Sequence, residues 1–146
     1  SDNTPSGLVI YSSQYAGQNG WLAFNGNNSS AGWVPASTDS FGNAYVGYYF
    51  GGKSVRLSCV EIYDYYQSSS PTYDFVVKIQ GSNNGTTWTD ISNGISIPKP
   101  TVLHKVVLSA LNDYEYARML LVSGASGVSV TASGGWHLQF YGREDV

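Results

Sequence analysis

Residues 75–91, FVVKIQGSNNGTTWTDI, carry the reading that decides the fold. Phe75, Val77 and Ile79 alternate with Val76, Lys78 and Gln80, and a period of two puts one set of side chains on a buried sheet face. The stretch GSNNGTT follows at 81–87, where Gly and Asn tolerate the backbone angles of a tight reversal. An alternating run that enters a polar turn and leaves it at Trp88 predicts a β-hairpin.

The same pattern extends to both sides. LVIY near the start, AYVGYYF at 44–50, VRLSCVEI at 55–62, VLHKVVLS at 102–109, EYARMLLVS at 115–123 and WHLQFYG at 136–142 are short apolar or alternating runs. In the last of them Trp136, Leu138 and Phe140 form the inward set. SSSPT at 68–72 and SGASG at 123–127 separate runs as turns, since Pro fixes φ and Gly frees it. LNDYEYARMLL, from Leu111, is the most helix-like piece, but it lacks a helical stop signal and is read as a strand. Seven or eight strands at this spacing predict an all-β chain folded as a sandwich or barrel.

Composition bounds the function. The chain has 146 residues, 42% hydrophobic, 14% aromatic and only 12% charged, with a net charge of −3. This length fits one domain over residues 1–146. Seven Lys and Arg scattered from Lys53 to Arg143 cannot supply the concentrated positive field that a phosphate backbone needs, so nucleic acid is excluded as a partner. No apolar run approaches the roughly 20 residues of a membrane span. The opening SDNTPSG lacks a signal-peptide pattern, as a module cut from a longer protein would. One cysteine, Cys59, precludes an internal disulfide, and its apolar neighbours predict burial.

Catalysis finds no constellation. His104, His137, Cys59 and ten carboxylates show no pairing motif, and two distant histidines with one Cys do not match zinc spacing. The expectation is a chain that is not an enzyme, with both histidines at strand surfaces or hydrogen-bonded.

The hairpin with its Trp88 resembles the Gly-Ser-Asn/Asp-Asp/Asn-Gly-x-x-Trp segment of discoidin domains, also called coagulation-factor type C or galactose-binding-like domains. LAFNGN at 22–27, the Gly32-Trp33 pair, YVGYYFG at 45–51, and YEYARMLLV with HLQFYG follow in that family's order. The resemblance implies a jelly-roll β-sandwich of about eight strands, similar to family 32 carbohydrate-binding modules. The closing YGRED resembles versions carried by phage tail or receptor-binding proteins and bacterial surface proteins, which implies an extracellular setting and a larger chain or assembly.

Relatives carry a structural calcium near the 22–30 loop. The matching positions here are Asn25, Asn28 and Ser30 with the 137–139 stretch, where amides and an imidazole replace carboxylates that a hard cation favours. The usual galactose site is also absent as such: Val34 and Pro35, not His, follow Trp33, and the 63–73 loop has no Arg or Asn.

A sugar site needs an aromatic platform and orienting polar groups. Tyr65, Tyr66 and Gln67 lead into SSSPT, Trp33, Asp39 and Phe41 lie in WVPASTDSF, and Trp136 follows a Gly-rich stretch. Trp21 and Trp88 are read as packing residues. The leading expectation is a non-catalytic module that binds glycan or polysaccharide through the 22–42, 63–73 and 124–136 loops gathered at one end. The alternative is a structural or protein-interaction module decorating a fibre. A phospholipid-binding role is disfavoured by the lack of any Lys or Arg before Lys53.

Overall fold

The computed structural model describes residues 7–28, 31–64, 75–97, 103–124, 129–132 and 135–144. Two antiparallel sheets pack face to face as an all-β jelly-roll sandwich. The strands are β1 (Leu8–Tyr11), β2 (Tyr45–Tyr49), β3 (Val55–Asp64), β4 (Phe75–Ser82), β5 (Thr89–Asp90), β6 (Ile95–Ile97), β7 (His104–Val107), β8 (Tyr116–Ser123) and β9 (Trp136–Glu144). The larger sheet runs β1-β2-β8-β4-β5, with β6 also pairing to β4, and the smaller runs β7-β3-β9.

All seven anticipated runs form strands. β5 and β6 take the count to nine among the described residues, because two- and three-residue strands are too short to show a period. Alternation in β4 is obeyed: Phe75, Val77 and Ile79 are buried while Val76 and Lys78 are half-buried. The inner faces meet in one core in which Val46, Val60, Ile62, Val77, Ile79, Met119 and Leu121 are fully buried. A 3-10 turn, Gly20–Phe24, closes one side, its Phe24 ring packing near Tyr48 and Phe140.

Cys59 corrects one expectation. The register of β3 against β9 shifts between Leu57 and Cys59, so one extra residue interrupts the alternation. Ser58 is therefore exposed and Cys59 half-buried beside outward-facing Val107 and Tyr141, instead of lying in the core. His137 is only 3% exposed, so of the two alternatives, surface or hydrogen-bonded, the surface position does not hold for it.

Candidate functional site

Trp33 and Trp136 anchor the end of the sandwich where the ligand loops were expected. They pair across an isolated bridge, the Trp33 N–H donating to the Trp136 carbonyl at 3.0 Å and the reverse bond measuring 2.8 Å. Both side chains are 0% exposed. The Trp33 indole N–H donates to the Ser13 carbonyl at 2.8 Å, while the Trp136 ring stands edge-on to Phe75 at 6.0 Å. The expectation that either ring contacts ligand is corrected: a side chain without exposed surface offers no stacking face.

Phe41 also turns inward, stacked on Phe75 at 6.2 Å. It remains half-buried, so its outer edge stays at the surface. Asp39 is a local organiser. Its carboxylate accepts from the Ser12 and Ser13 hydroxyls at 2.6 and 2.5 Å and from the Ser40 N–H at 2.9 Å. Burial pushes the Asp39 carboxyl up, but the two hydroxyls and the backbone donor outweigh it and hold the group below its ordinary value. Ser13 Oγ in turn accepts the Ala36 N–H at 3.1 Å, which ties the 31–43 loop to the segment after β1.

The described residues thus bring Trp33, Phe41, Phe75 and Trp136 into one aromatic floor. Asp64 pairs directly with Trp136 at the end of β3. Tyr65, Tyr66 and Gln67, which continue from Asp64, lie outside the described residues.

Calcium can be tested against the 22–28 turn. Ca²⁺ takes six to eight oxygens, with carboxylates setting the affinity. Asn25 instead closes its own turn, its Oδ1 accepting the Asn27 N–H at 2.9 Å. Asn28 faces a small open pocket with Ala23, Gly26, Glu61, His137 and Gln139. Glu61 is the single carboxylate of that lining, and it accepts the Tyr141 phenol, whose pKa it raises. No group of three or more His, Cys, Asp or Glu occurs among the described residues. Ser30 lies outside them. The donor set described does not fit a calcium cage.

A second cluster escaped the sequence reading. On the outer face of the larger sheet, Arg118 of β8 sits between two rings, its Cζ 4.1 Å from the Trp88 centroid and 4.5 Å from that of Tyr45. Its Nε donates to Gln80 Oε1 at 2.8 Å, and Gln80 Nε2 donates to Asp90 Oδ1 at 2.8 Å. Lys78 Nζ closes the chain on Asp90 Oδ2 at 3.0 Å. Tyr49 and Tyr116 stack at 4.6 Å alongside, and Trp88 meets Tyr116 edge-on at 6.3 Å. Burial lowers the Arg118 pKa from its ordinary value. Trp88, read as packing, does pack, but onto the outside of the sheet. A period of two puts Tyr45 with Tyr49, and Tyr116 with Arg118, on one face of their strands, but the strand pairing is needed to bring them beside Gln80.

No protein-family model and no curated protein matches the chain. Solved structures do. A family 32 carbohydrate-binding module from Clostridium perfringens NanJ, in complex with galactose, superposes with a TM-score of 0.65 at 16% identity, over 90% of this chain and 88% of that one. The family 32 module of AlyQ, in complex with 4,5-unsaturated mannuronic acid, gives 0.64 at 14% identity, over 92% and 93%. A family 89 glycoside hydrolase from C. perfringens, in complex with GlcNAc-α-1,4-galactose, gives 0.70 at 16% identity; 97% of this chain is covered but only 14% of the enzyme. The fold is that of the family 32, galactose-binding-like modules.

Proposed function

We propose that the chain is a non-catalytic carbohydrate-binding module that recognises extracellular or cell-surface glycan through loops at the Trp33–Trp136 end. One observation carries the reading: the solved family 32 modules of NanJ and AlyQ, in complex with galactose and with an unsaturated mannuronic acid, match both this chain and their own length almost entirely. The glycoside hydrolase match points the same way, because the part of that enzyme that resembles this chain is a small fraction of it.

In this reading Trp33 and Trp136 are the floor, not the platform. Tyr65, Tyr66 and Gln67 supply the stacking face and hydroxyl partners, Phe41 contributes its exposed edge, and Asp39 holds the neighbouring loop in place. The module works as one domain of a larger chain or assembly, where repetition raises the avidity of a weak single site. Native electrophoresis in gels containing individual polysaccharides tests it. At least one neutral or acidic polysaccharide will retard the chain, and equal mobility in all of them would remove the reading.

A module that binds protein is the second reading. It is favoured by apolar exposure on the small sheet and near it, where Leu103 is 50%, Val107 81% and Leu111 84% exposed. Unretarded mobility together with a stable protein complex would select it.

A further inference from the structure

The larger sheet presents an outward surface that the loop-end reading does not use. In successive rows across its strands it carries Tyr49 beside Tyr116, then Gly47 beside Arg118 and Gln80, then Tyr45 beside Leu120 and Lys78. Trp88 reaches over this surface from the edge. Gly47 is required by the close approach of β2 and β8, since a Cβ there would run into the Ala117 carbonyl and the Arg118 backbone. It lies buried between Tyr45 and Tyr49, directly opposite Arg118.

Charge on this surface is unbalanced. Lys78 and Asp90 neutralise each other through their 3.0 Å contact. Arg118 has no carboxylate partner among the described residues, and only its Nε is committed, to the neutral Gln80. Its terminal nitrogens keep their N–H donors, in a planar fork that matches a carboxylate. A partly desolvated cation held rigid between two rings loses little further freedom on binding an anion, and its attraction is less screened than at an open surface. One face of Tyr45 and of Trp88 is taken by the guanidinium and Tyr116 is stacked on Tyr49, so a pyranose meets the remaining surface of these half-buried rings with its C–H side. Gln80 and Asp90 fix the guanidinium in place, so the aromatic and anionic contacts are set by one network.

We propose that this outer face is a second saccharide site, in which Arg118 binds the carboxylate of an acidic sugar residue while Tyr45, Trp88 and Tyr116 hold its ring. It is separate from the loop end and stands or falls independently of it. The site takes a uronate-type unit within a chain, since an open sheet face admits a polymer running across it.

Titration of the ¹⁵N-labelled chain with tri-galacturonate, followed through the Arg118 Nε–H and Trp88 Nε1–H resonances, tests the assignment. Both signals and the amides of β2 and β8 will shift, and methyl esterification of the sugar will weaken the effect about tenfold or more. Arg118→Gln, which keeps a planar polar side chain, will weaken tri-galacturonate binding by a similar factor. The wild-type shift map decides alone should that variant fail to fold. Unmoved Arg118 and Trp88 signals at millimolar ligand, or equal shifts with the ester, would overturn the site and leave an arginine that only packs. Shifts confined to Phe41 and its loop would overturn it too, while supporting the loop-end reading.

Discussion

Trp33 and Trp136 are cross-strand partners, equally buried but differently satisfied. The Trp33 indole N–H has the Ser13 carbonyl, whereas the Trp136 Nε1 has no acceptor among the described residues. Replacing each by Phe removes similar volume, so Trp33→Phe should cost about 1 kcal/mol more than Trp136→Phe. Thermal melts of the two variants measure that gap; equal losses would mean the Ser13 bond is inconsequential. Asp39 gives a second expectation. Asp39→Ala removes the acceptor of two hydroxyls and a backbone N–H, donors that are exposed or half-buried and so open to water, and should cost about 1 kcal/mol. Because its folded carboxyl lies below the ordinary 3.8, the stabilisation is complete above that pH and is lost as pH falls through the lower folded value. Asp90 shifts in the same direction, chiefly through Gln80 and then Lys78, but it is exposed and its contribution is screened. Acid titration of wild type and Asp39→Ala should therefore converge at low pH. Residue types at the loop end were legible in the sequence, but directions were not. Trp33 sits in an irregular stretch where no period tells inside from outside, and there a large aromatic residue is drawn to the core by its apolar area.

Elements were the most legible scale. Alternation located β1–β4 and β7–β9, and the turn after β4 behaves as its residues require. Ser82 Oγ accepts the N–H groups of Asn84 and Gly85 at 3.2 and 2.9 Å, and Asn84 Oδ1 accepts those of Thr86 and Thr87 at 2.9 and 2.8 Å. Gly85 has φ of 74°. Asn84→Ala should lower stability by about 1–2 kcal/mol by leaving two donors without the side-chain acceptor, while Asn84→Asp, which keeps the acceptors, should cost less. Urea midpoints with unchanged m-values check this. Elsewhere the strand grammar failed for identifiable reasons. The bulge at Leu57/Cys59 inverted the facing of Cys59, and a bulge leaves no signature in a run of apolar residues. The Arg118 cluster was missed because its rings come from β2, β8 and the turn before β5, so only the pairing order assembles it.

At the scale of the whole molecule, two packed sheets bury Trp33 and Trp136 at one end, carry the Arg118 cluster on the outer face of the larger sheet, and leave the 22–28 turn without a donor set that fits calcium among the described residues. Adding calcium or EDTA should leave the melting temperature unchanged; a rise with calcium would show that donors outside the described residues complete the cage. The sandwich itself followed from the spacing of strands and turns, since burying one face of each of many short strands leaves few other solutions. The ligand did not follow, because one scaffold carries many different sites. A screen of the intact chain on a high-density glycan array, beside a folded Tyr65→Ala/Tyr66→Ala double variant, tests the central claim most directly. Selective binding of a subset of glycans, lost or narrowed to acidic glycans in the variant, is the expected result. A folded wild-type chain that binds no glycan at all would contradict the account.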